Sequence, residues 1–122
     1  MSDKNRAVYE KTTELRYTHE GVSQNLFTLP KNARVLFFLI DVDTAFDDTG
    51  TDLLDLGKAG SAEFWAADVD LSSAGQVMVQ QSNLGDVGSN PVVVTGLYTG
   101  QNNNAAAGIA KITCVYSHWR NR

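Results

Sequence analysis

The pattern of hydrophobic and polar positions predicts short β-strands along the whole chain. Apolar runs rich in Val, Ile, Leu, Phe and Tyr alternate with clusters of Gly, Pro, Asn, Ser, Thr and Asp, which are typical of turns. The best helix candidate, residues 61–67, suits a strand equally well. The predicted strands span residues 12–18, 23–29, 34–43, 52–57, 62–66, 76–82, 92–99 and 109–118.

Short strands separated by turn signals indicate a β-sandwich or barrel. We expect an all-β, eight-stranded, jelly-roll-like sandwich in a single domain, because 122 residues is a common domain size. The chain would divide into a basic N-terminal arm at 1–11, the sandwich at 12–118 and a C-terminal tail at 119–122. The loop at 101–107, QNNNAAA, is predicted to be a mobile, turn-rich tip.

The strand predicted at 34–43 is apolar on both faces. Strict alternation divides it into Leu36, Phe38, Ile40 and Val42 on one face, and Val35, Phe37 and Leu39 on the other. A small sandwich buries only one face of each sheet, so the second face needs a cover. A partner copy would make Val35, Phe37 and Leu39 an oligomer interface, whereas the chain's own N-terminal segment or loops are the open alternative.

Charge is unevenly distributed along the chain, whose net charge is −4. Residues 1–34 carry six Lys/Arg and four Asp/Glu. Residues 35–100 carry one Lys and ten Asp/Glu, and residues 101–122 carry three Lys/Arg and no acidic residue. An acidic body argues against a nucleic-acid partner, and no apolar run is long enough to cross a membrane. The basic ends suit segments that reach onto a neighbouring molecule. The candidate contact residues are Arg6, Tyr9, Lys11, Arg16, Trp119, Arg120 and Arg122.

Six aspartates lie within the 17 residues of DVDTAFDDTGTDLLDLG, at 41–57. We interpret this stretch as an acidic turn between two strands, in which short side chains cap their own backbone. Calcium binding to the Asp41–Asp55 stretch is left open, although the spacing lacks the EF-hand pattern. A glycosidase carboxylate pair is disfavoured because these aspartates are expected to be solvated.

No catalytic constellation stands out, and we predict no enzyme activity, no catalytic residue, no metal and no cofactor. Neither His19 nor His118 accompanies a G-x-S-x-G nucleophile motif, and the phosphate-binding glycine motifs are absent. Cys114 is the only cysteine, which excludes an internal disulfide and a multi-cysteine zinc site. It lies on the apolar face of the last strand with Ile112 and Tyr116, so we expect an inert buried thiol.

Several segments together resemble the small β-sandwich decoration (cement) proteins of tailed-bacteriophage capsids. The matching segments are NLFTLPKNARV (25–35), DVDTAFDDTGTDLLDLG (41–57), AADVDLSSAG (66–75) and GIAKITCVYSH (108–118). The resemblance implies a virion structural protein, made in the host cytoplasm, that sits on the outer capsid surface and bridges neighbouring capsid subunits. Its implied partners are the major capsid protein and further copies of itself in a homotrimer.

A second function is kept open, because a fold alone does not determine function. The chain could be a receptor- or carbohydrate-binding β-sandwich module of a phage fibre or tail. Such a module needs an exposed aromatic ring with carboxylates nearby, and Trp65 beside Glu63 and Asp68 is the best candidate in the sequence.

Overall fold

The computed structural model describes residues 6–80 and 87–119, which form eight strands and one short 3-10 helix. Among these residues no helix is long and apolar enough to cross a membrane. The elements are β1 (Arg6–Arg16), the 3-10 helix (Tyr17–His19), β2 (Gln24–Leu29), β3 (Arg34–Thr44), β4 (Asp52–Lys58), β5 (Ser61–Asp70), β6 (Gly75–Val79), β7 (Val92–Gly100) and β8 (Ile109–Trp119).

The strands form two four-stranded antiparallel sheets with the orders β1-β8-β3-β6 and β2-β7-β4-β5. Apart from the β4–β5 hairpin, every connection carries the chain from one sheet to the other, and the first strand pairs with the last. This is the arrangement of an eight-stranded jelly roll. The predicted fold class is confirmed.

The core lies between the sheets and follows from alternation along each strand. In β3, Phe38, Ile40 and Val42 are buried, and in β4, Leu54 and Leu56 are buried. The largest fully buried side chains come from both sheets and from the loops at their ends; they include Trp65, Tyr98, Phe38, Phe46, Leu15, Leu29, Ile112 and Leu71.

A β-bulge in β3 changes the predicted faces of this strand. Val35 pairs with Tyr116 and Phe38 with Cys114, so three residue steps in β3 match two in β8. The extra residue turns Val35 into the core, where it is 2% exposed. The prediction that Val35 faces outward is therefore wrong, because strict alternation ignores a bulge. Phe37 and Leu39 are half-buried on the outer face, as predicted.

Residues 6–11, expected in the N-terminal arm, form the first half of β1. They pair with residues 114–119 of β8 in a continuous antiparallel register, from Arg6 opposite Trp119 to Lys11 opposite Cys114. Residues 1–5, 81–86 and 120–122 lie outside the described residues, so Arg120, Arg122 and the end of the predicted 76–82 strand cannot be placed. The helix candidate at 61–67 is part of β5.

Side chains bridge the edges of the two sheets where β1 passes β2. Lys11 Nζ donates to the backbone oxygen of Thr28 at 2.8 Å, and Thr13 Oγ1 donates to that of Leu26 at 2.7 Å. These acceptors are the carbonyls that an edge strand leaves unpaired. The two bonds close this side of the sandwich against pairing with another strand.

Two adjacent leucines in β4 test the packing. Leu54 is fully buried, whereas Leu53 is half-exposed on the outer face. We expect Leu54→Ala to lower the free energy of unfolding by about 2–5 kcal/mol because it leaves a cavity, and Leu53→Ala by roughly 1 kcal/mol or less. Urea unfolding of both variants measures this. Equal losses would show that the orientation of β4 is wrong.

Candidate functional site

The two ends of the sandwich differ in charge. At the end formed by loops 17–23, 45–51, 71–74 and 101–108, carboxylates outnumber cations; we call it the acidic end. At the other end, formed by the start of β1, the end of β8 and loops 30–33, 59–60 and 87–91, cations outnumber carboxylates; we call it the basic end. Among the described residues, the charged side chains of the acidic end are Glu14, Arg16, Glu20, Asp43, Asp47, Asp48, Asp52, Asp70 and Lys111, and those of the basic end are Arg6, Lys31, Arg34, Lys58 and Glu63.

Arg6 ties three segments of the basic end together. Its Nη2 donates to the backbone oxygens of Asn32 at 2.8 Å and Ser117 at 2.9 Å, and its Nε donates to Ser117 Oγ at 2.9 Å. Its guanidinium also lies 4.7 Å from the centre of the Trp119 ring, within cation–π distance. The start of β1, the end of β8 and the loop before β3 are therefore held in one arrangement.

Lys31 and Arg34 flank this loop and are exposed. Within the part of the chain that the structure describes, neither side chain forms an ion pair or a hydrogen bond. The cations of the acidic end differ, because Arg16 Nε lies 2.6 Å from Glu14 Oε1 and Lys111 Nζ lies 3.4 Å from Asp43 Oδ2. Uncompensated positive charge is thus found at the basic end.

Asp48 organises the acidic end by accepting backbone hydrogen bonds. It is 5% exposed. Its carboxylate accepts from the N–H groups of Gly50 at 2.9 Å, Asn102 at 3.0 Å and Asn104 at 3.0 Å. Burial acts to raise the pKa of Asp48, but these three donors outweigh it and the pKa lies below its ordinary value.

The neighbours of Asp48 hold the same loop. Asp47 Oδ1 accepts from the N–H groups of Ala106 at 2.7 Å and Ala107 at 2.9 Å. Thr49 Oγ1 accepts from the side-chain amides of Asn102 and Asn104, both at 2.9 Å. The loop at 101–107, predicted to be a mobile tip, is mostly exposed, but it is anchored along its length because these acceptors satisfy its backbone.

This arrangement explains the aspartate-rich stretch as turn and loop chemistry. The oxygens of Asp48 face N–H groups, whose partial positive charges disfavour a cation at the same position. Within residues 6–80 and 87–119, no group of three or more His, Cys, Asp or Glu side chains is placed to hold a metal ion. The calcium alternative has no ligand set in this part of the chain.

A close pair of carboxyl groups, from the half-buried Glu20 and the buried Asp48, lies beneath the anchored loop. Glu20 Oε2 is inaccessible to solvent and lacks a conventional hydrogen-bond donor. A Cβ atom at Gly100 would overlap Glu20 Oε2 and Asp48 Oδ2, so the missing side chain of this glycine leaves room for both. Burial, together with the adjacent Asp48, raises the pKa of Glu20 above its ordinary value of 4.5. Glu20 is therefore the member of the pair that takes up a proton first as the pH falls.

Asp52 is the third carboxyl group of this region and is 2% exposed. Its Oδ1 accepts from the Tyr98 hydroxyl at 2.6 Å and from the backbone N–H of Asp48 at 3.1 Å. Burial and the bond to Asp52 raise the pKa of Tyr98, so the phenol stays neutral and remains a donor. The bond links β4 to β7 at the acidic end.

An apolar patch lies on the outer face of the β1-β8-β3-β6 sheet. Phe37 and Leu39 follow each other on this face of β3, Val115 lies opposite Phe37, and Met78 lies opposite Leu39. We call these four residues the outer patch. Met78 is 56% exposed. The described part of the N-terminal segment lies beside β8 within the sheet and does not cover this face.

The predicted contact residues do not form one surface. Arg6 and Trp119 lie together at the basic end, but Arg16 is at the other end of β1, ten residues and roughly 30 Å away. Tyr9 packs against Tyr116, with ring centres 5.8 Å apart, and Lys11 bonds to Thr28 across the sheet edge. Sequence reasoning missed Lys31, in the loop before β3, and Arg34, at the start of β3. Their position beside Arg6 depends on the pairing of distant strands.

The remaining candidates are structural. Cys114 is fully buried, and burial raises the pKa of its thiol to about 12, so a reactive thiolate is disfavoured. His118 Nε2 lies 3.0 Å from the backbone oxygen of Lys31. Trp65 is 1% exposed and packs against Phe38. The Trp65 ring therefore belongs to the core, and the carbohydrate-binding alternative loses its best aromatic candidate.

The carboxyl pair predicts an unusual pH dependence of stability. Because the pKa of Glu20 is raised on folding, this residue stabilises the folded state fully below pH 4.5. That stabilisation is lost as the pH rises through the pKa of Glu20 in the folded protein. Asp48 has the opposite pH dependence because its pKa is lowered on folding. Its stabilisation of the folded state is lost as the pH falls through the pKa of Asp48 in the folded protein. Glu20→Gln keeps a neutral hydrogen-bond donor at every pH. We therefore expect the melting temperature of this variant, relative to that of the wild type, to rise by a few degrees as the pH increases from about 4 to about 7.

Thermal melts across this pH range measure the effect, and Glu10→Gln is the matched control. Glu10 is exposed on β1, so its variant should differ from the wild type by a constant amount. A Glu20→Gln variant whose melting temperature stays parallel to that of the wild type would contradict the assignment of the proton to Glu20.

Comparison with known proteins identifies the fold and no sequence family. No protein-family model matches the chain, and no curated protein matches it. A chain in the acid-stable capsid structure of Helicobacter pylori bacteriophage KHP30 is similar over 98% of this chain and 100% of that one, with a TM-score of 0.70 and 17% identity.

Two further phage capsids contain similar chains. One is in the capsid asymmetric unit of cyanophage Pam1, with a TM-score of 0.70, 19% identity and coverage of 93% of this chain and 85% of that one. The other is in the capsid of Ralstonia phage GP4, with a TM-score of 0.64, 19% identity and coverage of 98% and 86%. The predicted resemblance to β-sandwich proteins of phage capsids is thus confirmed as a likeness of fold.

Proposed function

We propose that this protein is a structural component of a phage virion. It binds the outer surface of the capsid and stabilises the shell by bridging neighbouring subunits of the major capsid protein. The observation that carries this proposal is the match of almost the whole sandwich to chains in three phage capsid structures, over 93–98% of its residues. After synthesis in the host cytoplasm the protein would reside on the capsid surface.

The physical chemistry of the described residues suits a clamp. A clamp needs no nucleophile or acid–base pair; it needs a rigid body whose surfaces make several contacts at once, so that weak contacts add up through avidity. The sandwich supplies the rigid body, because its buried carboxylates, its thiol and its aromatic core serve packing and loop closure. The basic terminal arms expected from the sequence are proposed to reach onto a neighbour.

Self-association is proposed to use the outer patch. Phe37 and Leu39, both predicted from the sequence, share this face with the exposed Met78 and with Val115, which is 9% exposed, whereas Val35 is committed to the core. Complete burial of large apolar side chains contributes about 1.5–3 kcal/mol each. Three copies meeting at this patch would form the proposed homotrimer.

The alternative of a carbohydrate- or receptor-binding module has less support. Trp65, its best aromatic candidate, is inside the core with Phe38 and Phe64. Trp119 is exposed, but its face is occupied by the Arg6 guanidinium. Glycan-array binding that saturates with the purified protein would revive this alternative.

Capsid binding is tested with particles of the same phage that lack this protein. We expect the purified chain to co-sediment with them in a saturable manner and to raise the temperature at which they release DNA, because bridging contacts oppose subunit separation. Fully decorated particles are the control and should take up no more protein. A chain that stays in the supernatant at micromolar concentration with undecorated particles would refute the proposed function.

The trimer is tested by light scattering after size exclusion. The double variant Phe37→Ser/Leu39→Ser should shift the protein from trimer to monomer, because it removes apolar area from the outer patch. Its matched control is Val93→Ser/Leu97→Ser, on the outer face of the other sheet, which should leave the trimer intact. A monomeric wild type would refute the proposed homotrimer.

A further inference from the structure

We infer that the protein meets the capsid end-on, through its basic end, and that the matching surface on the shell is a cluster of carboxylates. This inference rests on the proposed function and adds to it the docking surface, the orientation and the chemistry of the partner. The residues that carry it are Lys31 and Arg34, supported by Arg6, Val8 and Trp119.

The first observation is the location of free positive charge. Lys31 and Arg34 are exposed and make no ion pair among the described residues, whereas Arg16 and Lys111 are paired with Glu14 and Asp43. A protein of net charge −4 that exposes Lys31 and Arg34 without ion pairs at one end is electrically polar. Such a molecule approaches an acidic surface with that end first, because its other end is repelled.

The second observation is that the basic end is preorganised. The loop at 30–33 is held by Arg6 through the Asn32 oxygen at 2.8 Å, by His118 through the Lys31 oxygen at 3.0 Å and by two backbone bonds to residues 87–88. The backbone that carries Lys31 is therefore ordered before any partner arrives. Binding by a preorganised loop loses less conformational entropy, which improves affinity.

The third observation is the composition of the surface around these cations. Trp119 is 43% exposed and Val8 is 65% exposed, and both project from the outer face beside Arg6. Arginine and tryptophan are the residue types that most often dominate binding energy at protein interfaces. An apolar margin beside two cations fits a protein surface that carries both carboxylates and aliphatic groups.

The acidic end offers no comparable surface, since Asp47 and Asp48 are engaged by backbone N–H groups and Arg16 and Lys111 by carboxylates.

Neutralisation of two cations at each end tests the inference. We expect Lys31→Gln/Arg34→Gln to weaken binding to undecorated capsids by about tenfold or more and to flatten its dependence on salt, because interfacial charge pairs are lost. The control, Arg16→Gln/Lys111→Gln, removes the same charge from the acidic end and should change affinity by less than about twofold. Urea unfolding confirms that both variants remain folded.

Thiol footprinting measures the orientation independently. Ser89 is exposed at the basic end and Ala106 at the acidic end, and the native Cys114 is buried. A maleimide should label Ser89→Cys much more slowly on the capsid than in solution, and should label Ala106→Cys at the same rate in both. Protection of Ala106→Cys instead would overturn the orientation.

The outcomes separate this inference from the proposed function. If the wild type binds capsids and both double variants bind equally well, the docking surface is wrong and the function stands. If the wild type does not bind, both fail. If Lys31→Gln/Arg34→Gln abolishes self-association and leaves capsid binding unchanged, the basic end docks on the acidic end of a second copy, and the capsid surface is not its partner.

Discussion

The packing of two apolar sheet faces against each other is the interaction on which the rest of this structure depends. Phe38 and Trp65 come from opposite sheets and meet in the core, with ring centres 5.8 Å apart. Because nearly every connection crosses from one sheet to the other, neither sheet has its full set of strands until both have formed. The face of each strand that turns inward is thereby determined for the whole chain, and the loops are confined to the two ends.

Confinement of the loops explains where the charge lies. Loops contain backbone N–H groups that no neighbouring strand pairs. At one end of the sandwich, Asp47 and Asp48 accept hydrogen bonds from such groups in the loop at 101–107. Part of the acidity of this protein therefore serves loop closure. At the opposite end the loops close with Arg6 as a shared donor, which leaves Lys31 and Arg34 exposed.

The outer patch and the basic end adjoin along the β1-β8-β3-β6 sheet. Phe37 lies on the face of the sheet three residues beyond Arg34, where β3 begins at the basic end. A molecule of this shape can contact a second copy through its face and a larger assembly through its end at the same time. The proposed clamp relies on this geometry alone, since Cys114, Asp52 and Tyr98 are all committed to the interior.

The sequence by itself determined the class of fold and most of the inward-facing residues. The alternation around Ile112 and Cys114 in β8 shows which side chains lie in the core, because side-chain direction in a strand depends on local backbone geometry. The same local rules identified the aspartate-rich stretch as a turn and Cys114 as a buried thiol.

Only the tertiary structure decided which distant residues meet. A bulge turned Val35 inward, and pairing with β8 extended β1 back to Arg6. Strand order also joined Asp48 to a loop some 55 residues away and placed Arg6 and Arg16 at opposite ends of the sandwich. These features depend on strand order and register between segments far apart in the chain. Local propensity carries no information about such pairings, because it is the burial of the whole core that selects them.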